Sequence, residues 1–181
     1  MLDGEVWSGM NEAGFCIMNT ASYNLREDNF DCQMDREGEL MYHALANCAT
    51  IADFEAWLTT YPQPWGVEAN FGIIDAQGGA AYYEMNNSRY IKYDVNTMPE
   101  GYRVVTNFSQ AGRYEDYEGW ERYQTATAIM KEAFSREREI SAIDAINLFS
   151  RKYRHEVLGV NYDQENAPQY LLCRSICGSF P

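Results

Sequence analysis

Hydrophobic residues follow two different periods along the chain, and the changes of period mark its predicted elements. Phe15 to Met18 form a short apolar run that ends at Asn19. The preceding residues 11–14 have turn chemistry, because Gly14 can take a positive φ at no steric cost. The pattern therefore predicts a strand–turn–strand unit over residues 5–20.

Helical spacing begins after a polar loop rich in Asn and Asp at residues 23–38. The apolar positions of the first helix recur every three or four residues: Leu40, Met41, Ala44, Leu45 and Cys48. Thr50, with Asp53 three residues later, predicts a capping box that opens a second helix. The two prolines in residues 61–64 end that helix.

Strand patterns return in the middle of the chain. Residues 70–75 and 80–85 flank a glycine-bearing turn and predict a β-hairpin, which a strand at 90–93 extends. Residues 102–106 are rich in β-forming residues and predict a further strand that ends at Asn107.

Two more helices follow in the pattern. One is predicted over residues 118–134, and Ser141 with Asp144 forms a second capping box that starts the other. Strands and helices thus occur in blocks and do not alternate singly, which indicates an α+β fold and not a doubly wound sheet. With 181 residues and no repeat or linker, the chain is interpreted as one domain, 1–181.

The strand-end asparagines Asn19 and Asn107 carry the candidate chemistry. An asparagine amide fixed at a strand end is a neutral, preorganised donor, of the kind that amide hydrolases direct at the oxyanion formed when a carbonyl is attacked. Asn is also common wherever a strand turns, so a turn-forming role stays open for both.

The order of these segments resembles a known family. Gly-Met-Asn-Glu-Ala-Gly-Phe at 9–15, the later Asn19, a helical pair, a hairpin and Val-Val-Thr-Asn-Phe at 104–108 are similar to the choloylglycine hydrolase and penicillin V acylase branch of the N-terminal-nucleophile (Ntn) hydrolases. The related peptidase family that holds acyl-coenzyme A:6-aminopenicillanic acid acyltransferase shares the likeness, which extends from about Trp7 to about Arg174. It implies a four-layer αββα sandwich, antiparallel sheets flanked by helices, and hydrolysis of linear amide C–N bonds.

The resemblance also implies a nucleophile upstream of the first motif. In this family a cysteine at the mature N-terminus attacks the substrate and its own α-amine is the base. Residues 1–7 contain no cysteine, so the chain is expected to be a fragment that lacks the nucleophile strand and is cut at its C-terminal end as well. Cys16, Cys32 and Cys48 have no neighbouring histidine in sequence and are expected to be ordinary thiols.

Four further residues are candidates for the site. The resemblance makes Arg174 the candidate for an arginine that shapes the active site, and the alternative is a surface-facing strand arginine. Tyr23 and Phe30, in the loop after Asn19, and Phe108, beside Asn107, are candidates for an acyl pocket, and the alternative for these aromatic residues is core packing. The parent protein is then a linear amide hydrolase or, as the second hypothesis, a catalytically inactive Ntn-like domain for binding or structure. Bile salts, penicillin V, acyl-homoserine lactones and small amino-acid amides all remain open as substrates.

Composition and net charge limit the classes of partner expected for the chain. A hydrophobic fraction of 46% argues against disorder, and a net charge of −13 repels nucleic acid and anionic membranes. Five cysteines without a Cys-x-x-Cys pair, and two distant histidines, give no metal site, and no cofactor is expected. A small-molecule N-acyl amide is the expected partner, and unpaired sheet edges would permit a homo-oligomer. The compartment stays open.

Overall fold

A computed structural model describes residues 6–25, 32–113, 119–135, 140–150, 154–155 and 158–162. These residues belong to two compact units. The first unit comprises the chain up to Arg103 together with 107–118, and the second comprises 104–106 and the chain from Gly119 onward. The single-domain interpretation stays a prediction.

The first unit is built on a five-stranded antiparallel sheet whose strands lie in chain order. Its strands are β1 (Ser8–Met10), β2 (Cys16–Ala21), β3 (Ala69–Ile74), β4 (Ala80–Met85) and β5 (Tyr90–Asp94). The predicted hairpin is confirmed as β3 and β4, and the predicted extension as β5. Short turns connect β1 to β2, β3 to β4 and β4 to β5, as antiparallel neighbours permit, whereas residues 22–68 connect β2 to β3.

Two helices, α1 (Glu37–Asn47) and α2 (Ile51–Leu58), pack on one face of this sheet. Side chains alternate along each strand, so Ile17, Phe71 and Tyr83 are buried in the same core as Leu40 and Phe54. Burying each such side chain contributes about 1.5–3 kcal/mol, which makes this layer the main source of stability in the unit. The capping box predicted at Thr50 is confirmed.

The β1–β2 turn shows why the first sequence motif has its composition. Asn11 accepts hydrogen bonds from the Ala13 and Phe15 amides, and its Nδ2 donates to the carbonyls of Leu45 and Cys48 at 2.8 and 2.7 Å. Gly14 has a φ of 83°, as its position in the turn predicted. The motif therefore joins the turn to the C-terminal end of α1.

Residues 102–106 do not form the predicted strand. A run of β-forming residues fits a pleated surface, but strand formation also depends on pairing with a neighbouring strand, and residues 102–106 lie in irregular structure. Asn107 accordingly follows an irregular segment and not a strand end.

The second unit contains α3 (Trp120–Ser135), which confirms the predicted helix there. Ser141 caps α4 (Ala142–Ala145) through the predicted capping box, and a π-helical segment, Ile146–Ser150, continues it. Strands β6 (Arg154–His155) and β7 (Val160–Asn161) form an antiparallel pair. The α+β class is confirmed, with an antiparallel sheet flanked by helices, and the four-layer sandwich stays a prediction.

Candidate functional site

Asn19 lies on β2 beside a surface cavity. It pairs with Phe71 of β3, is half-buried, and shares its face of the strand with Ile17 and Ala21. The cavity has a volume of about 510 Å³. Its lining residues are Val6, Trp7, Asn19, Ala21, Tyr23, Asp35, Glu37 and Gly38.

The register of β2 decides which way its backbone groups point near this cavity. Ser22 donates its amide to the carbonyl of Glu68 at 3.0 Å, toward β3. Because these directions alternate along a strand, the backbone groups of Asn19 and Ala21 point to the opposite edge. Strand β1 pairs with β2 only as far as Met18, so this edge continues past the end of β1.

Asn107 reaches that same edge from the irregular segment. Its Nδ2 donates to the Ala21 carbonyl at 3.3 Å. Residues two apart on a strand are separated by about 6.8 Å, so the contact lies one strand repeat from Asn19. The structure therefore brings both predicted asparagines to one edge of β2, and their convergence on a single bound oxygen stays a prediction.

The residues that follow Asn107 are held by a buried polar cluster. Asn24 accepts the Ser109 amide at 2.7 Å and donates to the Ser109 carbonyl at 2.8 Å, while Ser22 and Ser109 share a hydrogen bond of 2.8 Å. Asn70 donates to the Phe108 carbonyl at 3.0 Å and accepts from the Ser109 hydroxyl at 2.7 Å. Side-chain hydrogen bonds thus hold this segment in place, as backbone hydrogen bonds to a neighbouring strand would hold a β-strand.

Glu84, on β4, is the charged member of this cluster and is completely buried. Its carboxylate accepts the amides of Gln110 and Ala111 at 2.7 and 3.0 Å. It also accepts from Arg103 Nη2 at 3.3 Å and from the Tyr93 hydroxyl at 3.2 Å. The Arg103 guanidinium in turn lies over the Tyr93 ring, 3.5 Å from its centroid. Each donor offsets part of the penalty for removing a carboxylate from water.

Sequence reasoning missed Glu84 as a site-organising residue and placed it only in a hairpin strand. The available signal was a lone carboxylate inside the otherwise uncharged run of residues 80–85. A charge at such a position is retained in a buried strand only when it has partners.

The remaining predicted site residues have different positions. Tyr23 lines the cavity with Asn19 and is 47% exposed, so its ring is accessible. Phe108 is buried at 1% exposure, and its pocket role stays a prediction. Phe30 and Arg174 lie outside the described residues.

The three described cysteines lie in different surroundings. Cys48 is buried in the core, where desolvation, with a smaller contribution from Asp53, raises the pKa of its thiol to about 11. Its thiolate is therefore scarce at neutral pH. Cys16 Sγ lies 3.8 Å from the Gly14 carbonyl, and Cys32 Sγ lies 3.6 Å from Met34 Sδ.

The described residues contain neither a candidate metal-binding cluster nor a helix able to cross a membrane. No group of three or more His, Cys, Asp or Glu side chains there could hold a metal ion. Within the same residues, no helix has both the length and the apolar character needed to cross a membrane.

The chain is similar to solved structures of two kinds of enzyme. The penicillin V acylase from Agrobacterium tumefaciens matches at 20% identity with a TM-score of 0.38, over 51% of this chain and 30% of the acylase. Two variants of the conjugated bile acid hydrolase from Clostridium perfringens match at 15% identity with TM-scores of 0.39 and 0.41. Each of those two alignments covers 68% of this chain and 38% of the hydrolase.

The chain thus spans 30% to 38% of the length of these structures. No protein-family model matches it, and no curated protein sequence matches it at a significant level.

Proposed function

We propose that this chain is the oxyanion-stabilising part of a hydrolase of linear, non-peptide amide C–N bonds, of the choloylglycine hydrolase and penicillin V acylase type. The observation that carries the proposal is the contact between Asn107 Nδ2 and the Ala21 carbonyl. It fixes a neutral amide donor at the edge of β2 where Asn19 meets the cavity. The sequence resemblance supplies the reaction class.

In the proposed reaction the nucleophile is a cysteine thiolate outside these 181 residues. The cysteine's α-amine takes the thiol proton, and the resulting thiolate attacks the substrate carbonyl carbon. The electron pair of the carbonyl moves to its oxygen, and Asn19 and Asn107 donate to that oxyanion. When the tetrahedral intermediate collapses, the C–N bond breaks, the amine leaves with the proton, and water then hydrolyses the thioester.

The cavity beside Asn19 is the proposed acyl-binding site. Trp7 and Tyr23 provide aromatic surface there, as ligand pockets commonly do. Phe30 and Phe108, proposed from their positions near Asn19 and Asn107, and Arg174, proposed from the resemblance, complete the site. Substrate contacts made equally in the ground and transition states change KM and not kcat, so Tyr23 is assigned to the choice of acyl group.

A test of the proposal joins this chain to the segment that carries the cysteine. The longer protein is assayed against N-acyl amides that include a conjugated bile salt, penicillin V and an acyl-homoserine lactone, and the 181-residue chain is assayed beside it. We expect turnover by the longer protein and none above background by the isolated chain, since donors alone cannot replace an attacking group. Binding of these amides without turnover by the longer protein would favour an inactive binding domain instead.

A further inference from the structure

One carboxylate holds both ends of the segment that carries Asn107. Glu84 contacts Arg103, four residues before Asn107, and it contacts Gln110 and Ala111, three and four residues after it. The chain between these contacts is irregular in structure. Asn107 is at the centre of this loop, which we call the Arg103–Ala111 loop.

Two asparagines hold the residues that follow Asn107. Asn70 and Asn24 hold Phe108 and Ser109, which follow it, through the hydrogen bonds described above. Asn70 and Glu84 are direct partners across β3 and β4, so they stand side by side on one face of the sheet. Glu84 is the member of this pair that also fixes the chain before Asn107.

We propose that Glu84 is the positioning residue for Asn107. By fixing both ends of the Arg103–Ala111 loop, it holds the Asn107 amide against the Ala21 carbonyl at the edge of β2. The positioning itself depends only on the contacts of the carboxylate. Its catalytic consequence rests on the proposed function, because it follows only if Asn107 stabilises an oxyanion.

A neutral side chain of the same size cannot make the same set of contacts. Each oxygen of Glu84 accepts one loop amide and one further donor: Oε1 accepts from Gln110 and Arg103, and Oε2 accepts from Ala111 and Tyr93. In Glu84→Gln one oxygen becomes an NH₂ group, which is only a donor. One of the two loop amides then faces another donor, whichever way the new amide is oriented.

The first arm of the test needs no enzymatic activity. Hydrogen exchange of the Gln110 and Ala111 amides, and the side-chain amide NMR signal of Asn107, are measured in the wild-type chain and in Glu84→Gln. We expect exchange of at least one of the two amides to accelerate about 10-fold or more, the equivalent of one lost hydrogen bond. The Asn107 signal should shift at the same time.

The matched control is Glu55→Gln. Glu55 also accepts from a tyrosine hydroxyl, that of Tyr83 at 2.7 Å, and also pairs with a cation, Lys92. It makes these contacts without any amide of the Arg103–Ala111 loop, so its replacement should leave both exchange and the Asn107 signal unchanged. If Glu84→Gln does not fold, Glu84→Asp replaces it, because the shorter carboxylate keeps the charge but cannot reach both ends of the loop.

The second arm measures kinetics in the longer protein that carries the cysteine. There Glu84→Gln should lower kcat by about 10- to 100-fold, the range expected for a displaced catalytic group, while KM stays within about twofold. A loosened loop with unchanged kcat would keep Glu84 as the positioning residue and remove Asn107 from the reaction, which overturns the proposed function. A folded Glu84 variant whose loop exchange and Asn107 signal match the wild type would overturn the positioning role, whatever its activity.

Discussion

Asp75 and Glu84 each hold a loop in place with a carboxylate, but the two carboxylates differ in burial. Asp75 accepts the amides of Gln77 and Gly79, both at 2.9 Å, within its own β3–β4 turn, and it accepts the Ile51 amide at the start of α2 at 2.9 Å. Glu84 is fully buried and binds residues 19, 26 and 27 positions away in sequence.

The difference in burial determines the effect of removing each carboxylate. Water can take over the contacts of Asp75 when the side chain is removed, because the turn lies at the surface. No water replaces the contacts of Glu84 at zero exposure, so its removal leaves Arg103 as a charge at 10% exposure without its ion-pair partner. A buried clamp therefore has more effect on the fold than a surface clamp with a similar number of hydrogen bonds.

The largest effect on stability is expected for Glu84→Ala. Breaking a buried ion pair by removal of one partner lowers the free energy of unfolding by about 3–5 kcal/mol. Urea denaturation of the variant and wild type measures it. Glu55→Ala, whose carboxylate is 32% exposed, should lower it by much less. Equal losses in the two variants would contradict the distinction between buried and surface clamps.

Asn11→Ala should have an intermediate effect. Asn11 is uncharged and partly buried, and it joins the β1–β2 turn to the end of α1. Its replacement leaves the Leu45 and Cys48 carbonyls without this donor. Unsatisfied polar groups of this kind cost about 1–3 kcal/mol. Thermal unfolding of the variant measures the decrease in the free energy of unfolding. A decrease as large as that of Glu84→Ala would mean that the charge of Glu84 adds nothing to its effect on stability.

The smallest effect is expected for Asp75→Asn, with a pH dependence that identifies its source. Hydrogen bonds from the amides of Ile51 and Gly79 hold the pKa of Asp75 below its usual value. A lowered pKa in the folded state means that this stabilisation is present above the unfolded value of about 3.9 and is lost as pH falls through the folded pKa.

The free energy of unfolding of Asp75→Asn is measured beside the wild type from pH 7 down to pH 2. At pH 7 the loss should be about 0.5–2 kcal/mol, as for other helix-capping side chains. The difference between the two proteins should be constant above about pH 5 and should shrink below pH 4. A difference that does not change over this range would show that the ionised form of Asp75 has no special role.

The sequence separation of the contacting residues explains how far the sequence could predict the fold. The capping boxes at Thr50 and Ser141 and the turn at Gly14 involve residues within a few positions of one another, so their chemistry is visible locally. The strand predicted at 102–106 is wrong because β-forming residues do not specify a partner. Local pattern thus predicted β1 to β5 and α1 to α4, but neither β6 and β7 nor the way the Asn107 segment is held.

The candidate site followed the same rule. Asn19 and Asn107 were identified by type and by their place after apolar runs, and the structure adds the Ala21 carbonyl that connects them. Glu84 was missed as an organiser because its partners lie on segments that meet only after folding. A lone carboxylate in an uncharged strand signals that partners exist, without identifying them.

The most direct measurement of the central claim is the steady-state kinetics of Asn107→Ala in the longer protein that carries the cysteine. Loss of one oxyanion donor costs about 2.7–4 kcal/mol of transition-state stabilisation, so kcat should fall by about 10²–10³-fold. The ratio kcat/KM should fall by a similar factor with KM nearly unchanged, because the hydrogen bond forms only in the transition state. Asn107→Asp should be slower still, since a carboxylate repels the developing charge. Wild-type kcat in Asn107→Ala would contradict the account and leave Asn107 with a structural role at the edge of β2.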